Sequence, residues 1–131
     1  ISNVEELKKK YNSLKDKKID KKLPIIVENK IFELKTKEFL ESLKKILEEL
    51  YEIAIQKRKV RAGIGKMRSR KYKKNSGLLF IVGKDENKKI KGIEIIQANK
   101  LKISDLASRG ARLTLFSEQA IKDLEKKFEN A

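Results

Sequence analysis

Apolar residues along this chain recur in blocks whose period switches between that of a helix and that of a strand. Over 2–16, Val4, Leu7, Tyr11 and Leu14 return every three or four residues, one stripe of a helix, and Ser2 and Glu5 stand at capping-box spacing. The run KDKKIDKK at 15–22 reads as a charged linker. It is followed by LPIIVEN at 23–29, a short buried strand with Pro24 at its start, where no ladder donor is needed. Over 36–55, Phe39, Leu40, Leu43, Ile46, Leu47, Leu50, Ile53 and Ala54 keep a helical period, with Thr36 as N-cap. The period then stops. Gly63 and Gly65 oppose a continuous helix, so 57–76 is predicted to be mostly irregular. GLLFIVGK at 77–84 is a second strand, whose unbroken apolar run predicts cover on both faces. KGIEIIQA at 91–98 and ARLTLFS at 111–117 complete the strands. Ser104 is expected to cap one helical turn over 104–108, and Ser117 a last helix to about Phe128, with Ile121, Leu124 and Phe128 on one stripe.

The predicted order is therefore helix, strand, helix, strand, strand, turn, strand, helix. The wide spacing of most strands suits helical crossovers and a parallel sheet. The pair within 78–97 is the exception. Its pattern favours an antiparallel hairpin turning at Asp85, Glu86 and Asn87, because a parallel crossover usually takes a dozen or more residues.

Composition changes this picture in two ways. The 131 residues fit one domain, 1–131, and contain neither cysteine nor histidine, which removes disulfides, thiol nucleophiles and the commonest general base and metal ligand. No apolar run approaches the roughly 20 residues that span a bilayer. The chain starts at Ile1, as a fragment or a processed protein would. The second change is charge: 34 Lys and Arg against 19 Asp and Glu give a net +15. Between residues 57 and 74 stand Lys57, Arg58, Lys59, Arg61, Lys66, Arg68, Arg70, Lys71, Lys73 and Lys74, with no acid among them. Two thirds of the net charge is thus one patch, and its chemistry calls for a polyanion.

Within that patch, Gly63-Ile64-Gly65-Lys66 suggests a phosphate loop, but Met67 stands where a P-loop needs Ser or Thr, and the segment follows a helix and precedes a strand, the reverse order. A dinucleotide fingerprint fails for want of a third glycine. Glu48, Glu49 and Glu52 read as surface ion pairs on a lysine-rich helix, and Asp85 and Glu86 as turn residues. No catalytic set, cofactor site or metal site emerges. Nucleic acid fits better. Glycine lets backbone approach phosphates, arginine grips them in pairs of hydrogen bonds, and Tyr72 would either stack on a base or anchor the segment to the domain. Met67 reads as a packing residue. A basic amphipathic membrane helix is disfavoured, since Val60, Ile64 and Met67 are its only apolar positions.

The stretches RAGIGKMRSRKYKKNSGLLFIVGKDE and DLASRGARLTLFSEQAI, together with LPIIVEN before a long helix, resemble the large-subunit ribosomal protein "L four" family in its archaeal and eukaryotic form. The likeness spans about residues 20–128. It implies an α/β fold, a three-layer α/β/α domain with a four-stranded, mainly parallel sheet, so that 78–97 would be a parallel pair. It implies a cytoplasmic, ribosomal role without catalysis, small-molecule substrate or membrane, with large-subunit ribosomal RNA and neighbouring ribosomal proteins as partners. Residues 61–74 would then be an RNA-contacting loop, in which Arg61, Lys66, Arg68, Arg70, Lys71, Lys73 and Lys74 meet phosphates. Lys57, Arg58, Lys59, Gly63, Gly65 and Tyr72 would support them, as would Arg109 from a separate loop. Two features depart from the family pattern: SRGA at 108–111 replaces a longer PGG-containing loop, and the family's N-terminal half with its extended loop is not matched. A nucleic-acid-binding protein outside the ribosome, using the same basic loop, is the alternative.

Overall fold

The structure is a computed structural model, described here for residues 4–16, 19, 23–86, 88–107 and 112–129. The first helix, α1 (Val4–Lys10), is shorter than its stripe predicts: Tyr11 is extended, and a 3-10 turn over Asn12–Leu14 brings Leu14 back to the core. Strand β1 (Ile25–Val27) leads through a 3-10 turn (Asn29–Phe32) into α2 (Thr36–Leu47). The expected five-turn helix is interrupted at Glu48, whose φ of 45° breaks the ladder. A 3-10 turn (Glu48–Leu50) and a short helix, α3 (Tyr51–Ala54), follow. Lys35, not Thr36, is the N-cap; its backbone N–H donates to the Glu38 carboxylate at 3.2 Å. The remaining elements are β2 (Arg58–Val60), β3 (Tyr72–Lys74), β4 (Leu79–Val82), β5 (Glu94–Gln97), α4 (Ile103–Leu106), β6 (Thr114–Ser117) and α5 (Glu118–Glu129).

Strands β1, β6, β4 and β5, in that spatial order, form a four-stranded sheet in which every pairing is parallel. The apolar run of β4 is continuous because both of its faces are covered. Phe80 and Val82 meet a core built by Leu7, Phe39, Leu43, Leu47, Leu50 and Ile53 from the first three helices. Leu79 and Ile81 meet Ala98, Ala120 and Leu124 on the opposite side, under α5. This is the three-layer arrangement that the family resemblance implies. Phe80 lies at the centre of the larger core, with ring centroids of Phe32 and Phe39 at 5.1 and 6.1 Å.

β4 and β5 are parallel, so the hairpin favoured by the residue pattern of 78–97 is overturned. The described residues of the connection contain no helix. They cross the sheet's larger core as a strap, with Ile90 buried in it and the Lys88 ammonium donating to the backbone carbonyls of Phe32 (2.9 Å) and Leu34. A nearly extended chain covers about 3.3 Å per residue, so the eleven residues between Val82 and Glu94 reach back along a four-residue strand without a helix. Glu86 is a turn residue as expected, accepting from Gly83 N at 2.7 Å, and it also accepts the Ser117 hydroxyl at 2.8 Å. That hydroxyl caps α5 by accepting from Ala120 N at 3.1 Å. The turn at α4 is capped two residues earlier than predicted. Lys102 is its N-cap in place of Ser104, and Asp105 accepts the Lys102 N–H at 3.0 Å.

Candidate nucleic-acid interface

The basic segment is not irregular. β2 and β3 pair antiparallel as a two-stranded ribbon outside the main sheet, with Arg58 opposite Lys74, Lys59 opposite Lys73, and Val60 opposite Tyr72. Periodicity missed these strands because every residue in them is exposed, so no alternation marks a buried face. Like charges directly opposite one another oppose pairing by roughly 0.2–1 kcal/mol each. The ribbon holds because its base is fastened. Asn75 donates from Nδ2 to Ile53 O and Ile55 O, each at 3.2 Å, and accepts the Lys57 N–H at 3.0 Å. The Gln56 side-chain amide donates to Ser76 O at 2.8 Å, and Leu78 N donates to Ala54 O at 2.7 Å.

Arg112 completes the fastening. Only 1% exposed, its guanidinium donates to Gly77 O (3.3 Å), Ser76 O (3.1 Å) and Asp105 O (3.1 Å), and pairs with the half-exposed Glu94 carboxylate at 2.6 Å. Gly77, at φ 68°, turns the chain from ribbon into β4. A Cβ there would fall 2.4 Å from Gln56 Cγ and 3.2 Å from Ala54 O. None of Asn75, Gln56 and Arg112 belongs to the expected site set. A charge immediately preceding an apolar strand is the one sequence sign that Arg112 offers.

Of the expected set, Lys57, Arg58, Lys59, Lys73 and Lys74 lie on the stem of the ribbon, and Gly63, Gly65, Lys66, Arg68 and Arg70 on its tip. Arg61 and Lys71 form the boundary, with Arg61 N donating to Lys71 O at 2.7 Å and Arg61 Nε to Arg70 O at 3.1 Å. Gly63 has φ 76° and ψ −164°, a conformation open essentially to glycine alone, and it starts a 3-10 turn over Ile64–Lys66. Gly65 has no such backbone requirement: a Cβ there would meet only the exposed Arg61 side chain, at Cδ 3.1 Å away. The Tyr72 ring stays half-exposed, with Arg58 Cζ 5.4 Å and Lys71 Nζ 5.6 Å from its centroid, so it is held within the ribbon and keeps ring surface in solvent. Met67 is not a packing residue; it is 88% exposed at the tip. Arg109 and the rest of loop 108–111 lie outside the described residues.

On one side of the stem, Lys57, Lys59 and Lys73 face Tyr11 and Ser13 across a cleft of about 410 Å³ that also contains Glu52. The lysines of the cleft all come from the ribbon and its flank, and the body of the domain contributes Tyr11, Ser13, Ile53 and the acidic Glu52. No group of three or more acidic, His or Cys side chains that could hold a metal occurs among the described residues, and no helix there is long and apolar enough to cross a membrane.

No protein-family model matches the chain. Curated relatives do. The large ribosomal subunit protein uL4 of Methanocaldococcus jannaschii is 39% identical over 118 residues, covering 82% of this chain and 46% of its own length. The uL4 of Thermoplasma acidophilum is 35% identical over 131 residues, covering 94% of this chain and 50% of its own. The chain belongs to the uL4 family. The family likeness drawn from the basic run and the Arg-Leu-Thr segment is therefore borne out, including its archaeal character, since the uL4 of Methanococcus aeolicus is also 36% identical. The chain spans about half the length of the uL4 relatives it matches.

Proposed function

We propose that this chain is a non-enzymatic constituent of the large ribosomal subunit, in the cytoplasm, and that it binds large-subunit ribosomal RNA through the basic ribbon. The observation that carries the reading is a strained pairing: Lys59 faces Lys73 and Arg58 faces Lys74 in a ribbon held together at its base. A phosphate chain laid along it would neutralise both pairs, so binding and ribbon stability reinforce one another. Arg61, Lys66, Arg68, Arg70, Lys71, Lys73 and Lys74 supply the phosphate contacts, with Lys57, Arg58 and Lys59 at the stem. Recognition would be by backbone and shape, because side chains read little sequence in RNA helices. Seven phosphate contacts give a slope of log affinity against log salt of about −5 to −6.

The test replaces Arg68, Arg70 and Lys71 with alanine and measures binding to deproteinised large-subunit RNA across salt concentrations. The slope should shrink by about 2–3; an unchanged slope overturns the assignment. A second reading, a duplex-DNA binder, gains one point from the structure, because a two-stranded ribbon fits the DNA major groove. Competition between duplex DNA and folded RNA at equal salt separates them: RNA should win by tenfold or more.

A further inference from the structure

The cations explain the ribbon's attraction to a polyanion but not what stands at its end. Ile64 is 67% exposed and Met67 is 88% exposed, both inside the most basic stretch of the chain. They are three residues apart across the 3-10 turn that Gly63 starts, with Met67 N donating to Ile64 O at 3.0 Å and Arg68 N to the same oxygen at 3.2 Å. Side chains at that spacing on such a turn lie one above the other. They therefore form a single apolar ridge rather than two scattered contacts. Arg61, Lys66, Arg68 and Arg70 precede, interrupt and follow it in sequence. The internal bonds from Arg61 to Lys71 and Arg70 close the tip beneath the ridge, so its shape is set before any partner arrives.

Building on the RNA reading above, we infer that Ile64 and Met67 form a wedge that enters the RNA at an unstacked step and covers the faces of unpaired nucleobases. A ridge surrounded by cations is poorly matched to an apolar pocket on another basic protein, because the arginines would lose water without gaining anions. In RNA the same surroundings are complementary: phosphates lie on either side of a base step, and the base faces between them are apolar. Branched and thioether side chains are used in this manner where basic proteins kink a duplex, with charge on the flanks and an apolar wedge between bases. Single-stranded loops and bulges, whose bases are already unstacked, are the RNA elements that admit it at least cost.

The experiment compares the full chain with the double variant Ile64→Ser, Met67→Ser on deproteinised large-subunit RNA, by affinity across salt and by 2′-hydroxyl acylation of the bound RNA. Both positions are solvent-exposed, so the fold should survive, and circular dichroism checks it. The double variant should bind about tenfold more weakly at every salt concentration with the slope unchanged, because apolar burial releases no counterions. Nucleotides made more reactive by the wild-type protein should return to their free reactivity. Affinity within twofold of wild type and an identical reactivity pattern overturn the wedge. So does a variant that binds RNA normally but fails to join reconstituted subunits, which would assign the ridge to a protein neighbour. Failure of the RNA reading itself is distinguished by the Arg68, Arg70, Lys71 triple variant, whose slope would then also equal that of wild type.

Discussion

Replacing Arg112 with methionine tests whether the buried guanidinium works as an ion pair or as a hub for carbonyl groups. Methionine keeps much of the volume and removes every donor. Ser76 O would still accept from the Gln56 side chain at 2.8 Å, and Leu78 O from the Glu94 N–H at 3.4 Å. Gly77 O and Asp105 O would lose the Arg112 hydrogen bonds. A stranded buried acceptor costs about 1–3 kcal/mol, so the two together cost about 3 kcal/mol after some entry of water. The Glu94 carboxylate is 46% exposed and can return to solvent, which leaves its pairing with Arg112 worth less than about 1 kcal/mol. Against a total stability of about 5–15 kcal/mol for a domain of this size, the loss is large. Urea unfolding followed by circular dichroism should show it, with the melting temperature falling by about 10 °C. Glu94→Gln should cost under about 1 kcal/mol. If Glu94→Gln proved as damaging as Arg112→Met, the ion pair would be the main contributor and the carbonyl hub would be refuted.

Asn75→Ala removes three hydrogen bonds at the base of the ribbon, and should cost about 1–2 kcal/mol while raising amide exchange at Lys57 many-fold; unchanged exchange there would show that the ribbon is fastened elsewhere. Gly77→Ala and Gly63→Ala both place a side chain at positive φ, but only Gly77 is crowded. Chemical denaturation should therefore show Gly77→Ala losing about 3 kcal/mol, from backbone strain and crowding together, and Gly63→Ala about 1–2 kcal/mol from strain alone, with RNA affinity lowered by Gly63→Ala as well. Equal stability losses would remove the distinction.

The parts of the fold that were legible in the sequence are those where burial is one-sided or complete. Leu79 to Val82 declared a doubly covered strand, and Ser117 declared its cap, because each depends on chemistry within a few residues. The elements that escaped depend on partners remote in sequence. Tyr72 to Lys74 form a strand only because Asn75, Gln56 and Arg112 clamp the base of a ribbon whose own residues repel. The parallel pairing of β4 with β5 depends on Lys88 and Ile90 pinning the strap across the core. The break at Glu48 contradicts a helical period that continues through it, since Leu47, Leu50 and Ile53 remain buried on both sides. In the candidate site, charge singled out the segment that folds as an exposed ribbon, whereas the exposure of Met67 and Ile64 could not be inferred from residue type, which ordinarily argues for burial.

The spatial order of the sheet has a temporal counterpart. β6, the last strand among the described residues, lies between β1 and β4, and it meets β1 at Leu115 opposite Ile25, about ninety residues upstream. A ribosome synthesising this chain therefore releases β1, β4 and β5 before the strand that joins β1 to the others exists, and Leu79, Ile81 and the rest of their apolar surface must wait for it. Until Thr114 to Ser117 emerge, β1 lacks its neighbour in the sheet and the larger core lacks Leu115. Closure of the sheet is thus tied to the emergence of β6.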